Sequence, residues 1–109
     1  MIKKLLFIFI LFFTTLGFSQ KSLEELSAAP NPFTSSTKII FSSKKQQTVY
    51  FSVRNVLGKR VYHKKVSVKK GKNSIPFSKN RLQSGIYIYT LQNTKEKISK
   101  RFIIRWVYN

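Results

Sequence analysis

The chain has 109 residues, no cysteine, one histidine and three acidic residues against 21 lysines and arginines, giving a formal net charge of +18. This length fits a single domain, and the composition excludes disulfides and zinc sites of the ordinary ligand types. The few carboxylates, together with a lone His63 that has no acid near it in sequence, argue against catalysis. We therefore expect no enzyme activity, no bound metal and no cofactor.

The N-terminus has the three parts of a secretory signal peptide, over residues 1–19. Two lysines precede an unbroken apolar run at residues 5–13, and small or weakly polar residues follow. The run is shorter than the ~20 apolar residues that span a bilayer, although an uncleaved membrane anchor is the alternative. Gly17 and Ser19 are small residues at the −3 and −1 positions. We expect cleavage after Ser19, export through the inner membrane to the periplasm, and no transmembrane segment in the mature chain.

The positive charge survives this cleavage, because only two of the 21 cationic residues lie in the signal peptide. Such a surface favours a polyanionic partner. For an exported protein this means lipopolysaccharide or an anionic membrane, whereas the signal peptide argues against nucleic acid. A basic surface that is merely solvated is the other interpretation.

The mature chain is predicted to contain a short spacer and then only β-strands. The spacer, residues 20–26, is polar and has room for one loose helical turn. The strands are predicted from runs of β-branched and aromatic residues between turn signals. They cover residues 38–41, 48–54, 60–68, 74–77, 86–91 and 98–104, with a seventh strand allowed at residues 27–29. Short, regularly spaced strands of this kind are typical of a β-sandwich.

Details of these runs predict where the strands lie. The apolar parity slips between Val61 and Val66, which indicates a bulge or a twist. Pro76 indicates an edge position or a strand end. Residues 86–91 are apolar on both faces, so we expect a central strand that is buried on both sides.

Two prolines flank one asparagine ahead of the predicted strand at residues 38–41. Pro30 and Pro32 restrict the backbone and remove two donors, so the segment is expected to be stiff, extended and packed along a sheet edge. We expect Phe33 to plug the end of the core. An ordinary rigid linker is an equally good interpretation of the segment taken alone.

Turn residues and the last strand complete the prediction. Asn55 can cap its own turn, with Gly58 at positive φ. Gly85 is expected at positive φ or at a close backbone approach. In the last strand, Lys100 has the parity of the core-facing residues. Arg101 points the other way and belongs to an exposed basic row with Arg105 beside Ile103, which either serves recognition or keeps the strand soluble.

Four motifs occur along the mature chain in a definite order. They are Pro30, Asn31 and Pro32; Asn55, Gly58 and Val61; Leu82, Gly85 and Tyr87; and Lys100, Arg101 and Phe102. In this order, over residues 27–105, the chain closely resembles the type A C-terminal sorting domain of the type IX secretion system of Gram-negative bacteria. The resemblance implies an immunoglobulin-like antiparallel β-sandwich of about seven short strands.

The resemblance also implies a function. Such a domain is an address tag, recognised by the outer-membrane translocon after export to the periplasm, and it is not itself an enzyme. A sortase-like peptidase usually removes the tag while the cargo is joined to anionic lipopolysaccharide, so the destination is the cell surface or the extracellular space. We expect recognition at the last strands and the basic C-terminal edge, because a free sheet edge can accept another strand.

Two features depart from the family pattern. Only residues 20–26 separate the cleavage site from the domain, so almost no cargo is attached, and a stand-alone tag, a reused domain and a gene remnant all remain open. The chain also continues into a tail, residues 106–109, which either extends the last strand or blocks capture by the translocon. The alternative function, from a different class, is a stand-alone small basic β-sandwich that binds acidic envelope polymers such as lipopolysaccharide.

Overall fold

The computed structural model describes residues 21–106, which form seven β-strands. The predicted signal peptide and the last three residues of the tail lie outside this range. The strands are β1 (Leu23–Ala29), β2 (Ser36–Ser43), β3 (Gln47–Asn55), β4 (Arg60–Val68), β5 (Gly71–Ser78), β6 (Gly85–Gln92) and β7 (Lys97–Ile104). They form two antiparallel sheets, with strand orders β1-β2-β5 and β4-β3-β6-β7. No helix in the described range is long and apolar enough to cross a membrane.

The two sheets enclose one core, to which most strands contribute alternate residues. In β3 the buried residues are Val49, Phe51 and Val53, as their alternation predicts. Aromatic rings join the sheets: Phe77 of β5 lies 6.1 Å from Phe51 and 5.4 Å from Phe102 of β7, measured between ring centroids. The predicted all-β, sandwich-like architecture is confirmed.

The first strand begins earlier than predicted, so the interpretation of residues 23–26 as part of a loosely helical spacer is wrong. Leu23 and Leu26 are both fully buried although they are three residues apart. The pairing of β1 with β2 shifts between Glu24 and Ser27, and Glu25 has φ 59°. This bulge turns both leucines inward, and it gives the sequence a spacing of three that does not look like a strand.

The bulge predicted in β4 is confirmed and lies at Val61. Val53 pairs with Tyr62 and Arg54 pairs with Arg60, so Val61 is the extra residue. Beyond it Tyr62 returns to the inner face, where its ring lies 5.2 Å from that of Phe77. The slip in apolar parity therefore records a real irregularity of the strand.

The positions of β5 and β6 confirm two predictions and correct a third. Pro76 lies in β5, an outer strand of its sheet, and β6 lies inside the four-stranded sheet between β3 and β7. However, β6 is not buried on both faces: Ile86 and Ile88 are 45% and 38% exposed. They lie on the outer face of the four-stranded sheet, away from the core between the sheets.

Candidate recognition surface

The segment that contains the two prolines covers the edge of the last strand. The Asn31 carboxamide accepts a hydrogen bond from the Ile103 N–H at 3.0 Å and donates one to the Arg101 carbonyl at 3.2 Å. Phe33 continues the pairing, because its N–H donates to the Ile103 carbonyl at 3.0 Å and its carbonyl accepts from the Arg105 N–H at 2.8 Å. The predicted edge packing is therefore confirmed. The expected free edge at the C-terminal end of β7 is wrong, since its main-chain groups are already paired there.

Phe33 closes the end of the core, as predicted. Its side chain is 3% exposed, and its ring lies 5.1 Å from Phe102 and 6.3 Å from Phe77 in edge-on contacts. The carbonyl of Pro30 accepts a hydrogen bond from the Thr37 hydroxyl at 2.6 Å. The segment is thus anchored to β2 as well as to β7.

The turn between β3 and β4 has the predicted cap. The Asn55 side-chain oxygen accepts hydrogen bonds from the N–H groups of Leu57 and Lys59, each at 3.0 Å, and Gly58 has φ 84°. Arg54 is tied to this turn, because its guanidinium donates to the Gly58 carbonyl at 3.0 Å. The motif therefore fixes both the turn and one arginine beside it.

The third motif fixes the start of β6. The Tyr87 hydroxyl donates to the Gln83 carbonyl at 2.7 Å, a side-chain contact to the backbone four residues upstream. Burial raises the pKa of Tyr87. Leu82 is half-buried against the core, and Gly85 has φ 153° with no heavy atom within 4 Å of the place a Cβ would occupy. The positive φ expected of Gly85 is confirmed, whereas a close approach is not present.

Three of the motifs, distant in sequence, meet in one row across the four-stranded sheet, and Asn31 of the first motif bonds to the edge of β7 beside that row. Asn55 of β3 pairs with Tyr87 of β6, and Tyr87 pairs with Phe102 of β7. Phe33, which follows the first motif, packs on Phe102. Most motif residues in this row therefore stabilise the fold at this end of the sheet.

Three isoleucines are exposed on the outer face at this end of the four-stranded sheet. Ile86 and Ile103 are direct partners across β6 and β7, and Ile88 is the next outward residue of β6. Ile103 is 41% exposed, close to the values for the other two. An antiparallel sheet face in contact with water is usually polar, so this apolar group is unusual for its position.

Arginines flank the isoleucines. Arg54 of β3 and Arg101 of β7 are the two cross-strand partners of Ile88, and Arg105 lies two residues beyond Ile103. All three arginines are exposed, as predicted for Arg101 and Arg105. We call Ile86, Ile88, Ile103, Arg54, Arg101 and Arg105 the isoleucine–arginine surface.

Lys100 and Phe102 of the last motif do not belong to this surface. Phe102 is fully buried, and Lys100 has the same parity, pairing with Tyr89, although it is exposed. The motif therefore contributes one core residue and one surface arginine, and its lysine belongs to neither group.

The acidic residues lie at the opposite end of the strands. Glu24 and Glu25 are in the first half of β1, and Glu96 is in the turn that connects β6 to β7. Glu96 joins these regions, because its carboxylate accepts hydrogen bonds from the Ser22 N–H at 3.0 Å and the Ser22 hydroxyl at 3.2 Å. The arginines near the isoleucines therefore have no acidic neighbour within the described domain.

Other candidate sites in the described residues are less developed. A cleft of about 560 Å³ opens beside β4 and β5 and is lined in part by Tyr62, Phe77 and Leu82. Within residues 21–106 no three His, Cys, Asp or Glu side chains are close enough to hold a metal ion. His63 is exposed on β4.

The sequence pattern alone does not identify Ile86, Ile88 and Arg54 as surface candidates. The signal is present, because residues 86–91 are apolar on both faces, but that pattern also predicts double-sided burial. Only the sheet order shows that β6 has nothing from the described domain on its outer side.

Comparison with known proteins identifies a family to which the chain is similar. No curated protein matches the chain. A family model described as a secretion system C-terminal sorting domain matches residues 27–105, the stretch that contains all four motifs. The chain belongs to the family of C-terminal sorting domains of the type IX secretion system.

Proposed function

We propose that this domain is an address tag that the outer-membrane translocon of the type IX system recognises after export to the periplasm. Family membership supports a sorting role in type IX secretion and export to the cell surface or the extracellular space. Recognition by the translocon is supported by one observation: all four motifs contact one another at the same end of the sheet. At that end Ile88 lies between Arg54 and Arg101. The domain acts by being recognised, and we assign it no catalysis.

The fold suits such a tag. The sheet order and the contact between Tyr87 and Gln83 support an immunoglobulin-like classification, since a tyrosine hydroxyl bound to the upstream backbone is a hallmark of those sandwiches. Asn31 and Phe33 cover the C-terminal end of the β7 edge, which discourages pairing between copies in the periplasm. We propose that the translocon reads a side-chain surface rather than this covered edge, and that a sortase-like peptidase acts on the tag afterwards.

The test is a secretion assay. A fluorescent cargo is inserted between residues 19 and 20, and the fusion is expressed in a host with a type IX system and in an isogenic translocon mutant. We expect cargo in the medium or on the surface of the first strain and periplasmic cargo in the second. Periplasmic cargo in both strains contradicts the proposal.

A second function, binding of acidic envelope polymers such as lipopolysaccharide, is favoured by the charge. Every described lysine and arginine except Lys79 is exposed, and the described residues form one salt bridge, between Lys44 and Glu24 at 3.1 Å. Retention on immobilised lipopolysaccharide should fall steeply as salt is raised, because exposed charges are screened. Retention no stronger than that of a neutral β-sandwich argues against this function.

A further inference from the structure

We infer that the isoleucine–arginine surface is the contact site for a protein partner that presents an apolar patch flanked by carboxylates. The inference rests on the proposed function, because it names the surface and the chemistry through which the tag is recognised. The partner class follows from three properties of the surface: its exposed isoleucines, the choice of arginine beside them and the absence of acidic neighbours among the described residues.

The apolar part is continuous. Ile86 and Ile103 are cross-strand partners, and Ile88 follows Ile86 on the same face of β6. Each of the three is between 38% and 45% exposed. Burying them against a partner removes apolar area from water, which is the main favourable term in most protein–protein association.

The cations beside the isoleucines are all arginines. The chain contains 16 lysines and five arginines, yet the three cationic positions of this surface are Arg54, Arg101 and Arg105. The arginine fork binds a carboxylate through two parallel hydrogen bonds, and the residue is enriched at protein interfaces whereas lysine is depleted. A requirement for positive charge alone does not explain this choice.

The described acids cannot neutralise these arginines, because all three lie at the other end of the strands. Arg54 is also held in place by its hydrogen bond to the Gly58 carbonyl at 3.0 Å. A partner with carboxylates around an apolar centre is thus complementary to the surface in both charge and polarity. A simple polyanion uses only the charge and gains nothing from the isoleucines.

The same outer face supplies a matched control at its other end. There Lys65, Tyr50, Gln92 and Lys97 form a row across β4, β3, β6 and β7, with an exposed apolar ring between two lysines. Substitutions in this row change exposed apolar area and positive charge on the same sheet without touching the isoleucine–arginine surface.

The first experiment compares these positions in the secretion assay. We expect the triple variant Ile86→Thr, Ile88→Thr and Ile103→Thr to lower secreted cargo about tenfold or more, as for residues at the centre of an interface. The control Tyr50→Thr should be secreted like the wild type. Threonine retains the β-branched shape that suits strands, and melting of the purified variants shows whether they fold.

The second experiment separates carboxylate recognition from net charge. Arg54→Gln with Arg101→Gln should lower secretion, whereas Lys65→Gln with Lys97→Gln, which removes the same charge, should not. Arg54→Lys with Arg101→Lys keeps the charge but loses the fork, and it should also lower secretion. If the two arginine-to-glutamine changes and the two lysine-to-glutamine changes lower secretion equally, the partner recognises charge alone, as a polyanion does. That result overturns the inference.

A membrane partner is tested with vesicles of phosphatidylcholine and phosphatidylglycerol. Any sedimentation of the purified domain with these vesicles should be the same for the wild type and the triple threonine variant. Binding that disappears with the isoleucines places a lipid surface at this site and contradicts the inference. In the secretion assay, normal secretion of both the wild type and the folded triple variant overturns this inference alone. A wild-type fusion that stays in the periplasm overturns the proposed function as well.

Discussion

The side chain of Asn31 pairs with the main chain of Ile103 as the peptide group of a neighbouring strand would. The carboxamide oxygen accepts from the Ile103 N–H at 3.0 Å, and the carboxamide nitrogen donates to the carbonyl of Arg101 at 3.2 Å. One side chain therefore covers part of a sheet edge that could otherwise template pairing with another chain. It also joins the first motif of the family to the last.

Replacing Asn31 should weaken the domain and uncover this edge. Asn31→Ala removes two hydrogen bonds, so we expect the free energy of unfolding to fall by about 1–2 kcal/mol. We also expect more self-association in sedimentation experiments. The control is Thr34→Ala, an exposed neighbour whose side chain makes no hydrogen bond to the described residues. Equal urea midpoints for the two variants would show that the carboxamide contributes nothing to stability.

Gly85 should be required for its backbone conformation rather than for its small size. Its φ is 153°, and no heavy atom lies within 4 Å of where a Cβ would be. Gly85→Ala and Gly85→Val should each cost roughly 1–3 kcal/mol, the range for strain at a special backbone position. Because the site is open, the two variants should have similar melting temperatures. A wild-type melting temperature for Gly85→Ala contradicts this account.

The hydroxyl of Tyr87 should stabilise the start of β6. Tyr87→Phe keeps the ring in the core but loses the 2.7 Å hydrogen bond to the Gln83 carbonyl. We expect a loss of about 1 kcal/mol, typical of one hydrogen bond between neutral groups. Tyr50→Phe, on an exposed ring, is the control and should leave the urea midpoint unchanged. Indistinguishable midpoints for the two variants argue that the contact is incidental.

The domain should lose stability at alkaline pH. Burial raises the pKa of Tyr87 and of Tyr89 above the ordinary value of 10.0. The unfolded chain therefore loses these protons first, so their contribution is intact below pH 10.0 and declines as the pH rises through the folded-state pKa. Urea midpoints should fall as the pH rises above 10.0. The fall should be less steep in the double variant that carries both Tyr87→Phe and Tyr89→Phe. Parallel pH profiles for the wild type and the double variant contradict this assignment.

Much of the fold could be predicted from the sequence, because most strands show simple alternation. The predicted strand at residues 60–68 coincides with β4 (Arg60–Val68), and its bulge is visible in the apolar parity. The start of β1 could not be predicted in this way. Its bulge at Glu25 places Leu23 and Leu26 three residues apart, a spacing that local pattern does not assign to a strand.

The candidate surface was less predictable, because it depends on which strands become neighbours. The sequence indicates that Arg101, Ile103 and Arg105 share an exposed face. It does not show that Ile88 and Arg54 lie beside them, since these contacts come from pairing across three strands. The covering of β7 by Asn31 is also hidden in the sequence, because it joins residues about 70 positions apart through a side chain.

Site-specific photocrosslinking shows directly whether the translocon contacts the isoleucine–arginine surface. A benzoylphenylalanine is placed at position 88 of the cargo fusion, or at position 74 in the other sheet as a control, in cells with a working type IX system. We expect crosslinks from position 88 to a protein of the outer-membrane translocon, lost when Arg54 and Arg101 are changed to Gln, and none from position 74. Crosslinks of equal yield from both positions, or secretion without any translocon crosslink from position 88, mean that the translocon does not recognise this surface.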